Sequence, residues 1–431
     1  MSIPLKVKSN SRKNNRNRTK KIERYLAIAA IVTLAIAWLV GYSINKVDFE
    51  PALQAAAPEA DRFEEVTSDT WTAYQGDTLL GYVAVGEANG YGGPMQVATF
   101  VIPEGLVMGT AVVSHKETPS FFDRVVKDGF GDQFEEKTVT DSFVVGEDIH
   151  GVTGATYTAV GLANATQLAA QTVAGEQLGM DVPEPEPVPI VFGIPEITVI
   201  LLFAAGWVGH RRGFKYKKQL RWGMLITGML ILGFWFNQPL TIGKINTFLL
   251  GYFPPLRTAL YWYLLIGGIF LVATVDNKNA YCAWFCPFGA AQECMGAIGG
   301  AKYSAPRKYR RHLMWGQRGL AWLAILIAFL LRNPGVSSYE IFGTLFDFTG
   351  STILFMILGI ILITSLFVKR PWCDFLCPLD PVYDIVRLIR TWVLELWHKI
   401  RPNKKKPNQN KPNRKKQNPV VAEANPTPPS K

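Results

Sequence analysis

Six long apolar runs, at 25–44, 189–209, 221–240, 257–275, 317–332 and 352–369, constrain this chain more than any other feature. Most approach the roughly 20 residues that carry a helix across a hydrocarbon core of about 30 Å. The hydrophobic fraction of 48% is ordinary for a soluble protein, so it is the distribution that sets the class. Basic clusters flank the runs at 6–24, 211–221, 302–311 and 369–370, and again beyond Arg390. Placing every cluster on the cytoplasmic side demands an even number of crossings between consecutive clusters. Six spans with both termini inside a cell membrane meet that demand throughout. The loops then left outside, 241–256 and 333–351, hold one Lys, Lys244, and no Arg. The formal charge of +11 is therefore topological, and no nucleic-acid partner is expected.

The first run follows a basic N-terminus (1–24) and exceeds the roughly 7–15 residues of a signal h-region, so it reads as an uncleaved anchor. Ala55-Ala56-Ala57 is a weak cleavage candidate. Pro195 and Glu196 make the outer end of the second run irregular, and the fifth run is short.

The block 48–184 has globular composition and lies outside in this topology. Alternating segments at 79–85 and 97–102 predict strands, and 156–173 predicts a helix. The Pro-rich stretch 182–189 is a stiff linker into a five-span unit at 189–400, and the Lys/Asn/Pro tail 401–431 is disordered and drawn to anionic lipid. The predicted architecture is an α-helical membrane protein of six spans with an extracytoplasmic α+β domain between spans 1 and 2.

The segment Thr153-Gly154-Ala155-Thr156 opens the predicted helix. A helix N-terminus presents free N–H groups and positive dipole to an anion, small residues admit a phosphate, and the Thr156 hydroxyl can be esterified. An ordinary Thr-capped helix would look the same. The wider order distinguishes them: Asn89-Gly90-Tyr91-Gly92-Gly93-Pro94-Met95, then Ser114-His115-Lys116-Glu117-Thr118-Pro119, then Phe122-Asp123-Arg124, then the Thr-Gly-Ala-Thr segment.

Together these resemble the FMN-binding domain shared by RnfG-, NqrC- and NosR-type proteins. The resemblance implies FMN joined through its phosphate to Thr156 by a flavin transferase. It also implies that Thr153, Gly154 and Ala155 complete the attachment motif, that Glu117 and Thr118 approach the isoalloxazine ring, and that Tyr91 and Gly92 belong to the binding turn. One position departs from the family pattern. His150 stands three residues before Thr153, where an acidic residue is usual, and Asp148 lies two residues earlier. His115 reads either as a supporting residue of the site or as a structural one.

The chain has five cysteines, and four form matching pairs: Cys282-Ala-Trp-Phe-Cys286-Pro287 and Cys373-Asp-Phe-Leu-Cys377-Pro378. Both pairs fall just past a span on the cytoplasmic side, where a reducing compartment disfavours disulfides. Cysteines four apart share a helix face, so two pairs can offer four soft ligands to an iron–sulfur cluster, Zn or Cu(I). Cysteine as a small apolar residue is the bland alternative, and Cys294 is read that way. The run from Cys282 to Glu293, with the second C-x-x-x-C-P, resembles the membrane part of NosR/NirI proteins. The whole layout is similar to PceC-type proteins, although no ferredoxin-like C-x-x-C-x-x-C-x-x-x-C-P run is present.

The resemblance implies electron transfer, through FMN, from the quinone pool or the cytoplasmic side to an extracytoplasmic reductase. The rival is a redox-sensing regulatory or maturation factor for a metalloenzyme; a metal-binding scaffold is a third reading. No Cys-x-x-Cys-His, Walker or G-x-G-x-x-G motif occurs, and the five histidines avoid the span centres. A gap remains: flavin outside and cysteines inside stand apart by much of a core about 30 Å thick.

Overall fold

A computed structural model describes residues 7–182, 190–209, 211, 213–276, 279–303 and 307–400; the tail 401–431 and most of the predicted linker, 183–189, lie outside the described residues. The chain opens with helix α1 (Val7–Ile44) and a short α2 (Glu50–Ala56). Five strands follow: β1 (Arg62–Thr67), β2 (Thr70–Gln75), β3 (Thr78–Asn89), β4 (Pro94–Val101) and β5 (Val107–His115). They form an antiparallel meander in the order β1-β2-β3-β4-β5, as short connections dictate. Next come α3 (Pro119–Lys127) and α4 (Thr156–Glu176), the latter at the position of the predicted helix.

Successive residues of a strand face opposite ways, and both faces of this sheet are covered. Ala84 on β3 faces α4, whose Ala159, Ala163, Ala169, Ala170 and Ala174 are wholly buried. Its neighbour Val83 faces α2 and packs with Leu53, Ala56 and Trp71. Small residues let α4 lie close to the sheet: a Cβ on Gly86 would overlap the Ala165 carbonyl. The result is the predicted α+β domain, a sheet between two helices.

The second half holds α5 (Ile194–Gly209), α6 (Lys217–Thr227) running into a π-helix (Gly228–Trp235), α7 (Ile242–Leu249) and α8 (Leu260–Asp276). After a π-turn (Tyr281–Phe285) come α9 (Pro287–Ile298), α10 (Arg307–Leu331), α11 (Phe342–Phe346), α12 (Thr352–Ser365), α13 (Pro371–Phe375) and α14 (Leu379–Ile400). Two described stretches, Lys21–Ile44 and Arg310–Leu331, are helical, long and apolar enough to cross a membrane. Three further apolar helices, Ile194–Gly209, Leu260–Val275 and Thr352–Ser365, are shorter. The predicted run 221–240 is not one α-helix: it widens to π geometry from Gly228, where the missing side chain admits the Phe285 backbone.

Helix α1 packs along α10. Gly41 lies against the Phe329 carbonyl, Asn45 Nδ2 donates to the Leu330 carbonyl at 2.7 Å, and the Trp322 indole donates to Thr33 Oγ1 at 3.1 Å.

The segments 241–256 and 333–351 fold inward. Ile242, Asn246, Thr247, Ile341, Phe342 and Phe346 are all buried. The Phe342 ring lies 4.8 Å from that of Phe288, two residues past Cys286. These segments carry short apolar-faced helices that join the core, and they pack against residues beside the cysteines.

Candidate functional site

Thr156 starts α4 with its side chain exposed, and Gly154 before it takes the left-handed conformation (φ 78°). That glycine leaves room for Arg124, whose Nη1 donates to the Thr153 carbonyl at 3.1 Å. A guanidinium, free helix N–H groups and an available hydroxyl thus meet at one point, a set suited to a phosphate monoester. Arg124 is visible in the sequence, but nothing there gives it a role.

The glycine-rich turn is held to α4 by Glu117. Its carboxylate is fully buried, accepts the Gly92 N–H at 2.8 Å and accepts the Thr158 hydroxyl at 2.6 Å. Burial raises its pKa, and those hydrogen bonds and Lys244 act against the rise. Glycine is required at the contact, since a Cβ on Gly90 would overlap Glu117 Oε1. Glu117 thus braces the turn from within, and Thr158, absent from the predicted set, shares that task.

His115 stacks on Phe122 with ring centroids 3.6 Å apart. Burial, then the neighbouring Lys116, lowers its pKa. The His150 N–H is capped by Gln133 Oε1 at 2.8 Å. Asp148 accepts the N–H groups of Val144 and Phe143 and pairs with Lys137 at 3.3 Å. Its carboxylate is therefore engaged in closing its own loop.

The flavin domain sits on the inward-folded segments. Lys244 Nζ donates to the Tyr91 carbonyl at 2.9 Å, and the Thr247 hydroxyl donates to the Gly92 carbonyl at 3.0 Å. Gly335 lies against the backbone of Glu117 and Thr118, and Gln238 Nε2 reaches the Tyr157 hydroxyl at 3.4 Å. Between the two halves is a cavity of about 110 Å³ lined by Tyr91, Gly92 and Thr118 from one side and by Lys244, Ser338 and Glu340 from the other. Three of the predicted flavin residues therefore line a space that residues of the second half complete. Glu340 accepts the Ile242 N–H and, at 2.9 Å, the Ser338 hydroxyl. Burial raises its pKa to about 7 and lowers that of Lys244 to about 8.

The cysteine pairs do not share a helix face as predicted. Cys282 lies in the π-turn and Cys286 caps α9; Cys373 lies in α13 and Cys377 follows it. The proline after each second cysteine is the cause, because a residue before proline is driven out of the helical region: Cys286 has ψ 122°. The break directs N–H groups of the next segment to sulfur, from Phe288 and Gly289 to Cys286 and from Leu379 to Cys377.

Cys282 interacts electrostatically with Cys286 and Cys373, and Cys377 with all three, so the two pairs are neighbours. Among the described residues, no three Cys, His, Asp or Glu side chains close round one point as a single chelated ion needs. A cluster held by four cysteines is a larger group, and the donor set fits it.

Polar side chains support both pairs. Gln292 Nε2 donates to Cys373 Sγ at 3.2 Å, and Gln317 Nε2 donates to the Cys373 and Cys377 carbonyls at 3.0 and 2.7 Å. Arg370 Nη1 donates to the Cys282 carbonyl at 2.6 Å, while its Nε pairs with Glu293 at 2.8 Å. Arg221 grips the same carboxylate through two nitrogens. Sequence reasoning does not find these supporting residues. Each is an ordinary polar residue in sequence, apart from Gln292 and Glu293, which close the quoted Cys282-to-Glu293 run.

Residues 90–171 match the FMN-binding domain family, and residues 258–306 and 349–406 match the 4Fe-4S binding domain family. Each stretch of the second match contains one cysteine pair. The chain joins an FMN-binding domain to a 4Fe-4S binding domain and is similar to the NosR and NirI proteins. Its flavin domain is of the RnfG type: it is 33% identical over 123 residues to the RnfG-type component of the proton-translocating ferredoxin:NAD(+) oxidoreductase complex of Clostridium ljungdahlii, covering 27% of this chain and 66% of that one. Protein NirI of Paracoccus denitrificans is 24% identical over 207 residues, 43% of this chain and 30% of its own. Regulatory protein NosR of Stutzerimonas stutzeri is 22% identical over 209 residues, 44% and 28%. The chain thus covers less than two thirds of each of these relatives. Its matched domains are an FMN-binding domain and a 4Fe-4S binding domain, which favour iron–sulfur among the soft-metal alternatives.

Proposed function

We propose that this chain is a six-span protein of the cytoplasmic membrane that transfers electrons between a 4Fe–4S cluster on Cys282, Cys286, Cys373 and Cys377 and FMN esterified to Thr156 outside. When bound, the cluster supplies one-electron transfer and FMN converts one-electron to two-electron chemistry. The chain's own residues position the two groups. Arg124 and the α4 N-terminus receive the phosphate, Glu117 braces the glycine turn, and Gln292, Gln317 and Arg370 fix the cysteine loops.

One observation carries the reading. The inward-folded segments touch the flavin domain on one side and the residues beside the cysteines on the other. Tyr339 lies next to pocket-lining Ser338 and Glu340, and its hydroxyl donates to the carbonyl of Leu376, next to Cys377, at 2.9 Å. These contacts support a protein path between the two sites.

The membrane reading draws on the apolar surface of α1, where Leu26, Val32, Ile36 and Leu39 are exposed, and on the six runs with their flanking charge. The flavin domain rests on segments 241–256 and 333–351, both outside in that topology. An apolar cleft lined by Ile266, Phe270 and Val382 reaches Asn279 and Cys282, which supports a lipid-soluble quinone as the donor; a flavin domain placed outside supports an extracytoplasmic reductase as the acceptor.

The test is co-expression of the full chain with a flavin transferase, followed by intact mass, in-gel flavin fluorescence and iron analysis. A mass gain of one FMN that is lost in Thr156→Ala, together with about four irons and reduction of FMN by a quinol analogue, is the expected result. A protein without flavin or iron overturns it. Similarity to NosR, a regulatory protein, favours a regulatory role as the second reading. In a deletion strain, a partner metalloenzyme lacking its cofactor supports that role, whereas one complete but starved of electrons supports transfer.

A further inference from the structure

Lys244 is the single lysine of the segments 241–256 and 333–351, and it is 6% exposed. Its ammonium donates to the Tyr91 carbonyl and lies over the ring faces of Tyr91 (4.8 Å) and Trp262 (4.6 Å). Among the described residues it forms no ion pair. The carboxylate that acts on it is Glu117, whose oxygens already serve Gly92 and Thr158. An ammonium has three N–H donors, and a carbonyl with two π-faces leaves a buried cation short of full compensation. That cation lines the cavity between the two halves, beside Tyr91 and Thr118. Its desolvation is a standing cost unless the cavity's occupant carries acceptors or negative charge.

The reading of Thr156 as the FMN anchor, on which this inference rests, supplies such an occupant. Oxidised FMN that takes up two electrons and one proton becomes an anion, with the charge on the pyrimidine N1–C2 carbonyl edge. We propose that Lys244 pairs with that edge of the flavin and stabilises its reduced, anionic form. A residue of the second half thus sets the potential of a cofactor carried by the first, and does so only while the two halves are docked. The electrons reach the flavin one at a time from the 4Fe–4S cluster, and the proton comes from solvent.

The test uses the full chain co-expressed with a flavin transferase, as wild type, Lys244→Met, Lys244→Arg and, as a control on an exposed loop residue, Lys46→Met. In-gel fluorescence first establishes that FMN is attached, and a spectroelectrochemical titration then gives its midpoint potential. Lys244→Met is expected to keep its FMN and to lose about tenfold in preference for the reduced form, a negative shift of about 30 mV for a two-electron couple. Lys244→Arg keeps most of the wild-type value, and Lys46→Met keeps all of it. If Lys244→Met fails to accumulate, Lys244→Gln carries the same expectation, because it retains a donor for the Tyr91 carbonyl without the charge. Attached FMN with an unchanged potential in the uncharged variants overturns the proposal. Absence of FMN from the wild type overturns the attachment reading instead, and this inference with it.

Discussion

The Tyr281 hydroxyl accepts the backbone N–H of Leu240 at 2.9 Å. Tyr281 precedes the first cysteine of the first pair, and Leu240 precedes the segment that carries Lys244. One hydrogen bond therefore ties the start of the segment that carries Lys244 to the turn that carries Cys282. The Tyr339–Leu376 bond does the same for the second pair, so the sequence of each C-x-x-x-C-P motif is anchored to a different inward-folded segment.

Tyr281→Phe removes the acceptor and leaves a buried N–H unpaired. The expected loss is about 1–3 kcal/mol, read as a lower melting temperature, and electron transfer to bound FMN should slow in stopped-flow reduction. Unchanged stability would mean that water replaces the phenol.

Cys294 lies on α9, half-buried and outside the paired motifs. Cys294→Ser should keep full iron content, whereas Cys282→Ser or Cys377→Ser should lose most of it. Iron analysis and the visible spectrum of purified protein separate the two outcomes.

Arg370 places positive charge beside Cys282, Cys286 and Cys373, and Glu293 holds it there. Positive charge near a cluster favours its reduced state. Arg370→Gln should therefore retain the cluster yet make its potential more negative, by about 59 mV for a tenfold change in a one-electron equilibrium. A redox titration followed by electron paramagnetic resonance tests this.

Glu340 has its pKa raised from the ordinary 4.5 to about 7 by burial, against the pull of the Ile242 N–H and the Ser338 hydroxyl. A raised value means that the folded state favours the neutral acid. Its contribution to stability is whole below about pH 4.5 and is lost as pH rises through about 7. Thermal unfolding of Glu340→Gln should depend less on pH across that window than wild type. Equal slopes would place the titration elsewhere.

The fold of the flavin domain was legible because strand alternation and the helical run at 156–173 follow local side-chain pattern. The start of that helix at Thr156, after the small residues Gly154 and Ala155, was legible for the same reason. Expecting each cysteine pair on one helix face failed on a local rule, the effect of proline on the residue before it. The π geometry inside the run 221–240 has a tertiary cause, the entry of the Phe285 backbone at Gly228.

By itself the sequence determined the apolar runs, the order of the flavin motifs and the pairing of the cysteines, since each depends on neighbours along the chain. Tertiary structure decided that segments 241–256 and 333–351 turn inward. It also brought Lys244 to Tyr91, 153 residues away, and Arg370 to Cys282, 88 residues away. A buried cation announces itself only through the low-dielectric surroundings that distant elements assemble around it, and no local pattern encodes those surroundings.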